Sequence, residues 1–189
     1  MPKKSDRTKA RIMKAARGEF ARRGFQAATV RDIAAEAEID PSMVIRYFES
    51  KAGLFDAVCR ISLDIPPLRD ISRADVGTTL VRHFLARWEG DGTDDSLLLL
   101  LRSGVVDPEA AARLHKLFAT QLLPALSEVV QEPDEAHARV GLVASQMLGV
   151  ALTRSILRIP PMVTMTPEQI VARVGPTVQT YLTGYLPAQ

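Results

Sequence analysis

Three features of this sequence predict an all-α fold. Apolar residues recur at helical spacing in segment after segment. Three sites pair a capping residue with a following proline, at Asp40-Pro41, Asp107-Pro108 and Thr166-Pro167, and no stretch shows the period-two alternation of a strand. A chain of 189 residues holds either one sizeable core or a small module followed by a larger helical body.

The elements follow in order. From Asp6 to Arg23 the stripe Ile12, Ala15, Ala16 and Phe20 marks a first helix, with Gly24 placed where a left-handed terminal residue is wanted. Thr29, three residues before Asp32, opens a short second helix whose inward stripe is Val30, Ile33, Ala34 and Ala37. Asp40 caps a third helix and Pro41 suits its first position. Ser50 caps a fourth, which opens at Lys51 and is stopped by Pro66-Pro67. Further helices are expected at 74–88, 94–104, 107–131, 134–158 and 167–184. Pro124 should bend or divide the third of these and Pro176 should kink the last.

Composition narrows the function. With 47% apolar and 24% charged residues, and Leu97 to Leu101 the densest apolar run, no segment is long enough to span a membrane. The basic start MPKKSDRTKA leads into no apolar stretch of signal-peptide type, so a cytoplasmic protein without membrane contact is expected. The single Cys59 reads as a packed core thiol. Residues 1–60 carry 13 Lys and Arg against 8 Asp and Glu, a net +5, whereas the remainder is net −3. A basic front third fits a surface that meets phosphate, and equally an ordinary solvated one.

Two short helices joined by the few residues AEID describe a helix-turn-helix over about 29–48. In such a module one face of the third helix packs on the core and the other enters the major groove of DNA. Val44 and Phe48, with part of Tyr47, fall on the packing face, against Ile33 and Phe20, which leaves Ser42, Met43, Ile45 and Arg46 outward. Met43 and Ile45 can meet thymine methyl groups and Arg46 can reach guanine or phosphate. A helix rotated otherwise would put Met43 and Ile45 in the core instead.

The stretches ARIMKAARGEFARRG, GFQAATVRDIAAEAEID and VIRYFESKAGLF resemble the DNA-binding domain of the TetR family of bacterial transcriptional regulators. The resemblance implies a DNA-binding domain over 6–66 and a helical ligand-sensing and dimerisation domain over 67–189. It also implies a homodimer that binds a palindromic double-stranded operator, most often as a repressor, and is released by a small molecule. By this resemblance Thr29 and Arg31 touch phosphate, Ser42, Met43, Ile45, Arg46 and Tyr47 lie in the recognition helix, and Lys51 meets a phosphate oxygen at the start of helix four. Three residues depart from the family pattern. Glu38 stands where glycine usually ends helix two, Pro41 where a basic residue is frequent, and Ile45 where an aromatic is usual. Phosphate binding then leans on an N-terminal arm of Lys3, Lys4, Arg7 and Arg11, unless that arm is only a disordered basic tail.

In the body, Gly141, Ser145 and Gly149 form a row of small residues flanked by Val140, Ala144 and Met147, on a helix about 37 Å long at ~1.5 Å per residue. That helix is either a dimer helix or an intrachain core helix. The resemblance implies the first, with Val171, Val174 and Val178 lining the second dimer helix. His83, Phe84, Trp88, Phe118 and Met147 could line a ligand pocket or belong to plain core. No catalytic motif appears, and His83, His115 and His137 lie in separate helices, so neither an enzyme nor a metal or cofactor site is expected. A helical dimer binding DNA without sequence preference is the competing reading.

Overall fold

The computed structural model describes residues 4–89, 95–105 and 107–185, and every regular element among them is a helix. The helices are α1 (Lys4–Ala27), α2 (Val30–Glu36), α3 (Pro41–Phe48), α4 (Lys51–Val58), α5 (Val76–Glu89), α6 (Asp95–Gly104), α7 (Pro108–Leu117), α8 (Leu123–Ser127), α9 (Ala136–Ala151), α10 (Pro160–Thr164) and α11 (Pro167–Thr183). All three cap-and-proline starts form. The Asp40 carboxylate accepts Ser42 N–H at 2.8 Å, Asp107 accepts Glu109 N–H at 2.9 Å, and Thr166 and Gln169 close a reciprocal capping box.

The chain forms two compact units, one of residues 4–61 and 95–114, the other of 62–89 and 115–185. In the first, Ile12, Ala16, Phe20, Ile33, Ala34, Val44, Leu54 and Phe55 make a closed core, and Cys59 is buried with them. Phe20, Phe25 and Phe55 form an aromatic trio with centroids 4.9 to 6.0 Å apart. α6 packs on α1 and buries Leu99, Leu100 and Leu101, while Arg113 of α7 lies over the Phe55 ring and donates to Asp56 at 2.7 Å.

The second unit is organised by α5, α9 and α11, whose Val76, Leu80, Val81, Leu85, Val140, Val143, Ile170, Val178 and Leu182 share one core. α5 and α11 cross closely because Gly77 has no side chain. A Cβ there would lie 2.6 Å from the Gln179 nitrogen and overlap the Gly175 carbonyl oxygen. The Gln179 side chain accepts Gly77 N–H at 2.8 Å and donates to Arg73 O at 2.7 Å, so it satisfies a first-turn donor that α5 could not pair internally.

The later helices hold to some of these expectations and depart from others. The segment over 107–131 is divided, as expected near Pro124, by a π turn at Phe118–Leu122 just ahead of the proline. Widening that turn relieves the clash of the proline ring with the carbonyl four residues back. The long helix expected over 134–158 is α9 followed by a second π turn at Leu152–Ile156, and it ends where Arg158 takes φ 51° before Pro160-Pro161. α11 runs through Pro176 without interruption. α1 begins at Lys4, two residues before the expected start, and Arg7 and Arg11 are helical as the expected first helix requires. Lys3 lies outside the described residues. Gly24 holds φ 73° and ψ 170°, an extended positive-φ conformation open to glycine, instead of the expected left-handed helical one.

Candidate nucleic-acid interface

The third helix has the split face that its sequence predicts. Val44 is fully buried, Tyr47 and Phe48 are half-buried, and Ser42, Ile45 and Arg46 are exposed, Ile45 to 45%. Met43 is half-buried, so it shares its side chain between the packing face and the outer one. Lys9 of α1 sits 5.5 Å above the Tyr47 ring, a cation–π contact that orients the tyrosine. Thirty-eight positions separate those two residues, and no short-range pattern announces the pair.

Thr29 caps α2 by accepting Asp32 N–H at 3.1 Å, while its hydroxyl donates to the Asp32 carboxylate at 2.8 Å. Arg31, in the first turn of α2, is exposed. The Asp40 carboxyl is held below its ordinary range by hydrogen bonding from the Ser42 side chain and then from its backbone N–H. A lowered carboxyl favours the folded state above its unfolded pKa, and the contribution of this cap is lost as pH falls through the folded value.

Two basic residues expected at phosphate are engaged within the protein. The Lys51 ammonium donates to the carbonyls of Phe25 (2.9 Å), Gln26 (3.2 Å) and Ala28 (3.1 Å), and it lies 4.6 Å from the Phe25 ring centroid. An ammonium has three protons, and all three are used in closing the C-terminal end of α1. Arg11 donates to Ala37 O at 2.5 Å and pairs with the Glu38 carboxylate at 3.2 Å. Arg22 and Arg23 likewise turn inward to the buried Glu19, and Arg23 also reaches Asp32 at 3.1 Å. Part of the basic excess in the front third therefore braces the module, while Arg7, Lys14, Arg17, Arg31 and Arg46 are among the basic residues exposed at its surface. Lys4 opens α1.

Glu38 adopts φ 50°, the left-handed conformation that its position in the turn demands of any residue. Arg11 gathers the two carbonyls of that turn and so holds it in place of a glycine's freedom. Glu38→Gly is expected to raise stability by about 1 kcal/mol, because the exposed Arg11 pair it removes is worth less than the backbone strain it relieves. Thermal denaturation checks this; a lowered midpoint would show that the Arg11–Glu38 pair matters more than the strain.

The residues named for dimerisation and for a pocket lie in the second unit. Val140, Val171 and Val178 are buried in the core of the second unit, so they offer no surface to a partner. The reason is that α5, α9 and α11 enclose them in the one core these helices share. Val174, Gly141, Ala144 and Met147 are half-buried, and Ser145 and Gly149 are exposed. The outward stripe of α9 and the turn after it is Leu142, Ser145, Leu148 and Leu152, with Leu148 39% exposed. Of the pocket residues, Phe84, Phe118 and Met147 are half-buried against the core, Trp88 is buried, and His83 Nε2 lies 2.8 Å from Leu63 O. Among the described residues no group of three or more His, Cys, Asp or Glu could hold a metal ion, and no helix is long and apolar enough to cross a membrane.

A helix-turn-helix with a split-faced third helix, joined to a separate helical core, defines a DNA-binding transcription regulator. Residues 12–58 match the family described as bacterial regulatory proteins, tetR family, and residues 74–182 match the tetracyclin repressor-like C-terminal domain. The chain belongs to the TetR family. A search of curated proteins returns no match. Among solved structures, a TetR-family regulator from Streptomyces coelicolor is 27% identical, with TM-score 0.63 over 96% of this chain and 97% of the other. NalD of Pseudomonas aeruginosa, the secondary repressor of the MexAB-OprM multidrug efflux pump, is 17% identical, with TM-score 0.69 over 95% and 98%. The multidrug binding protein EbrR, complexed with malachite green, is 20% identical, with TM-score 0.63 over 96% and 99%.

Proposed function

We propose that this protein is a cytoplasmic repressor that holds a palindromic operator as a homodimer and releases it when a small molecule binds the helical body. The exposed face of α3, with Ser42, Ile45 and Arg46 outward over a buried Val44, is the observation that carries the reading. Ile45 supplies methyl contact to thymine, Arg46 reads guanine or phosphate, and Arg31 and Arg7 bind phosphate. Lys51 then serves as a brace that fixes α4 against the end of α1.

For the dimer, the supporting feature is the stripe Leu142, Leu148 and Leu152 beside Gly141 and Gly149, at both of which an added Cβ would meet nothing within 4 Å in this protomer. Glycines with no crowding inside their own chain suit close approach by a second copy. A two-fold pair of reading heads requires a target of matching symmetry. A small molecule that prefers one spacing of those heads shifts the population by its differential affinity. NalD, a repressor, and EbrR, bound to malachite green, share this fold.

Selection of bound duplexes from a random pool tests the reading. A palindrome with fixed half-site spacing is expected, and equal affinity for selected and random duplex would overturn it. Arg46→Ala is expected to weaken binding of the selected duplex about tenfold or more while the dimer persists in sedimentation. Unchanged affinity would mean that α3 faces DNA through other residues.

A further inference from the structure

The third helix is short of positive charge. From its N-cap Asp40 to its C-cap Glu49 it carries one cation, Arg46, against those two carboxylates, a net −1. DNA presents a negative charge at every phosphate, so a helix of that balance holds the backbone only with cations supplied from elsewhere. The nearest basic residue in sequence, Lys51, uses its three protons on carbonyls at the end of α1, and Arg11 is bonded to the turn at Ala37 and Glu38.

Lys9 is placed differently. It is exposed on α1 with its ammonium 5.5 Å from the centre of the Tyr47 ring, and among the described residues it pairs with no carboxylate. Tyr47 follows Arg46 in α3, and its hydroxyl is open to solvent and bonded to no other described group. An ammonium seated on a ring keeps protons available on its outer side, because the ring occupies one face of a group with three donors. The ring also holds the lysine stem in place, so less side-chain freedom is lost when the ammonium meets an anion. A cation and a hydroxyl thus meet at the edge of α3, neither claimed by a protein oxygen, and both suit a phosphate.

We propose that Lys9 and the Tyr47 hydroxyl together hold one phosphate of the operator backbone, with the cation–π contact fixing the lysine for that role. The proposal rests on the reading of α3 as the DNA-facing helix and adds a backbone contact supplied by α1.

The salt dependence of binding tests it, measured on the full-length protein with the selected operator and with a random-sequence duplex of equal length. Lys9→Gln should lower the magnitude of the log–log slope by about 0.9 per subunit on both duplexes and weaken both by a similar factor, since a phosphate contact carries no sequence information. Lys9→Arg should keep the wild-type slope, because a guanidinium both stacks on tyrosine and meets phosphate. Tyr47→Phe retains ring and charge, so its slope should match wild type while affinity falls about tenfold. Lys14→Gln removes an equal charge from another face of α1 and should leave slope and affinity near wild type. Both lysines are exposed, so the fold is not at stake in either substitution. An unchanged slope in Lys9→Gln, an equal fall in Lys14→Gln, a lowered slope in Lys9→Arg, or undiminished affinity in Tyr47→Phe would each overturn the proposal. The random duplex keeps the two readings apart. Loss of operator preference with the Lys9 effect intact overturns the repressor reading alone, and operator preference with an unchanged slope overturns the clamp alone.

Discussion

Gly53→Ala is expected to destabilise the first unit by about 2 kcal/mol and to weaken operator binding by more than that loss alone, because it strikes the junction that aims α3. The connection between α3 and α4 is only Glu49 and Ser50. Glu49 takes φ 66° and ψ −41°, Ser50 N–H donates to Phe48 O at 2.7 Å, and the Ser50 hydroxyl accepts Gly53 N–H at 2.9 Å. These contacts fold the start of α4 onto the carbonyl that ends α3. A Cβ on Gly53 would overlap the Phe48 oxygen and come within 3.3 Å of its carbonyl carbon. The obstacle is backbone, so the only escape is to move one helix relative to the other. Denaturant unfolding and affinity for the selected duplex, measured together, check this. Stability within about 0.5 kcal/mol of wild type would show that the junction yields cheaply.

Arg139→Ala is expected to cost about 3 kcal/mol, which lowers the thermal midpoint of a chain this size by about 10 °C. Arg139 is 4% exposed and anchors three elements. Its Nε and Nη2 reach Glu135 at 2.7 Å, Nη2 lies 3.8 Å from Glu132, and Nη1 donates to Tyr181 O and Gly184 O at 2.9 Å each. Those last two carbonyls close the C-terminal end of α11, where a cation also complements the helix dipole. Truncation leaves the carbonyls without their donor and opens a void beneath α9. Arg139→Lys should recover only part of the loss, since an ammonium lacks the planar fork that spans carboxylate and carbonyls at once. Calorimetric melting of the three proteins checks the order; a midpoint for the alanine variant within a degree or two of wild type would refute it.

Much of the reading module was legible in the sequence because its signals are local. Thr29, Asp40 and Ser50 each cap a helix through hydrogen bonds spanning two or three residues, and all three form as the spacing predicts. The split between Val44 and the outward Ser42, Ile45 and Arg46 follows from helical periodicity. The positive φ of Glu38 was not fixed by spacing: only the family resemblance marked its position as one usually held by glycine, and the structure shows that the left-handed conformation is kept.

What eluded the sequence is long-range. Lys51 and Arg11 read as phosphate ligands when only their charge is visible, yet carbonyls 23 to 27 positions away claim them. Val140, Val171 and Val178 read as interface through the family resemblance, and only the packing of α5, α9 and α11 into one core shows them to be buried. Periodicity shows that a helix has an apolar face; it does not say which neighbour covers that face. The all-α character, the caps and the split face of α3 follow from contacts within one or two helical turns, where geometry is set by spacing. The brace at Lys51, the turn held by Arg11 and the buried Arg139 arise from groups that the folded chain alone brings together. There hydrogen-bonding capacity is spent or left unspent according to packing.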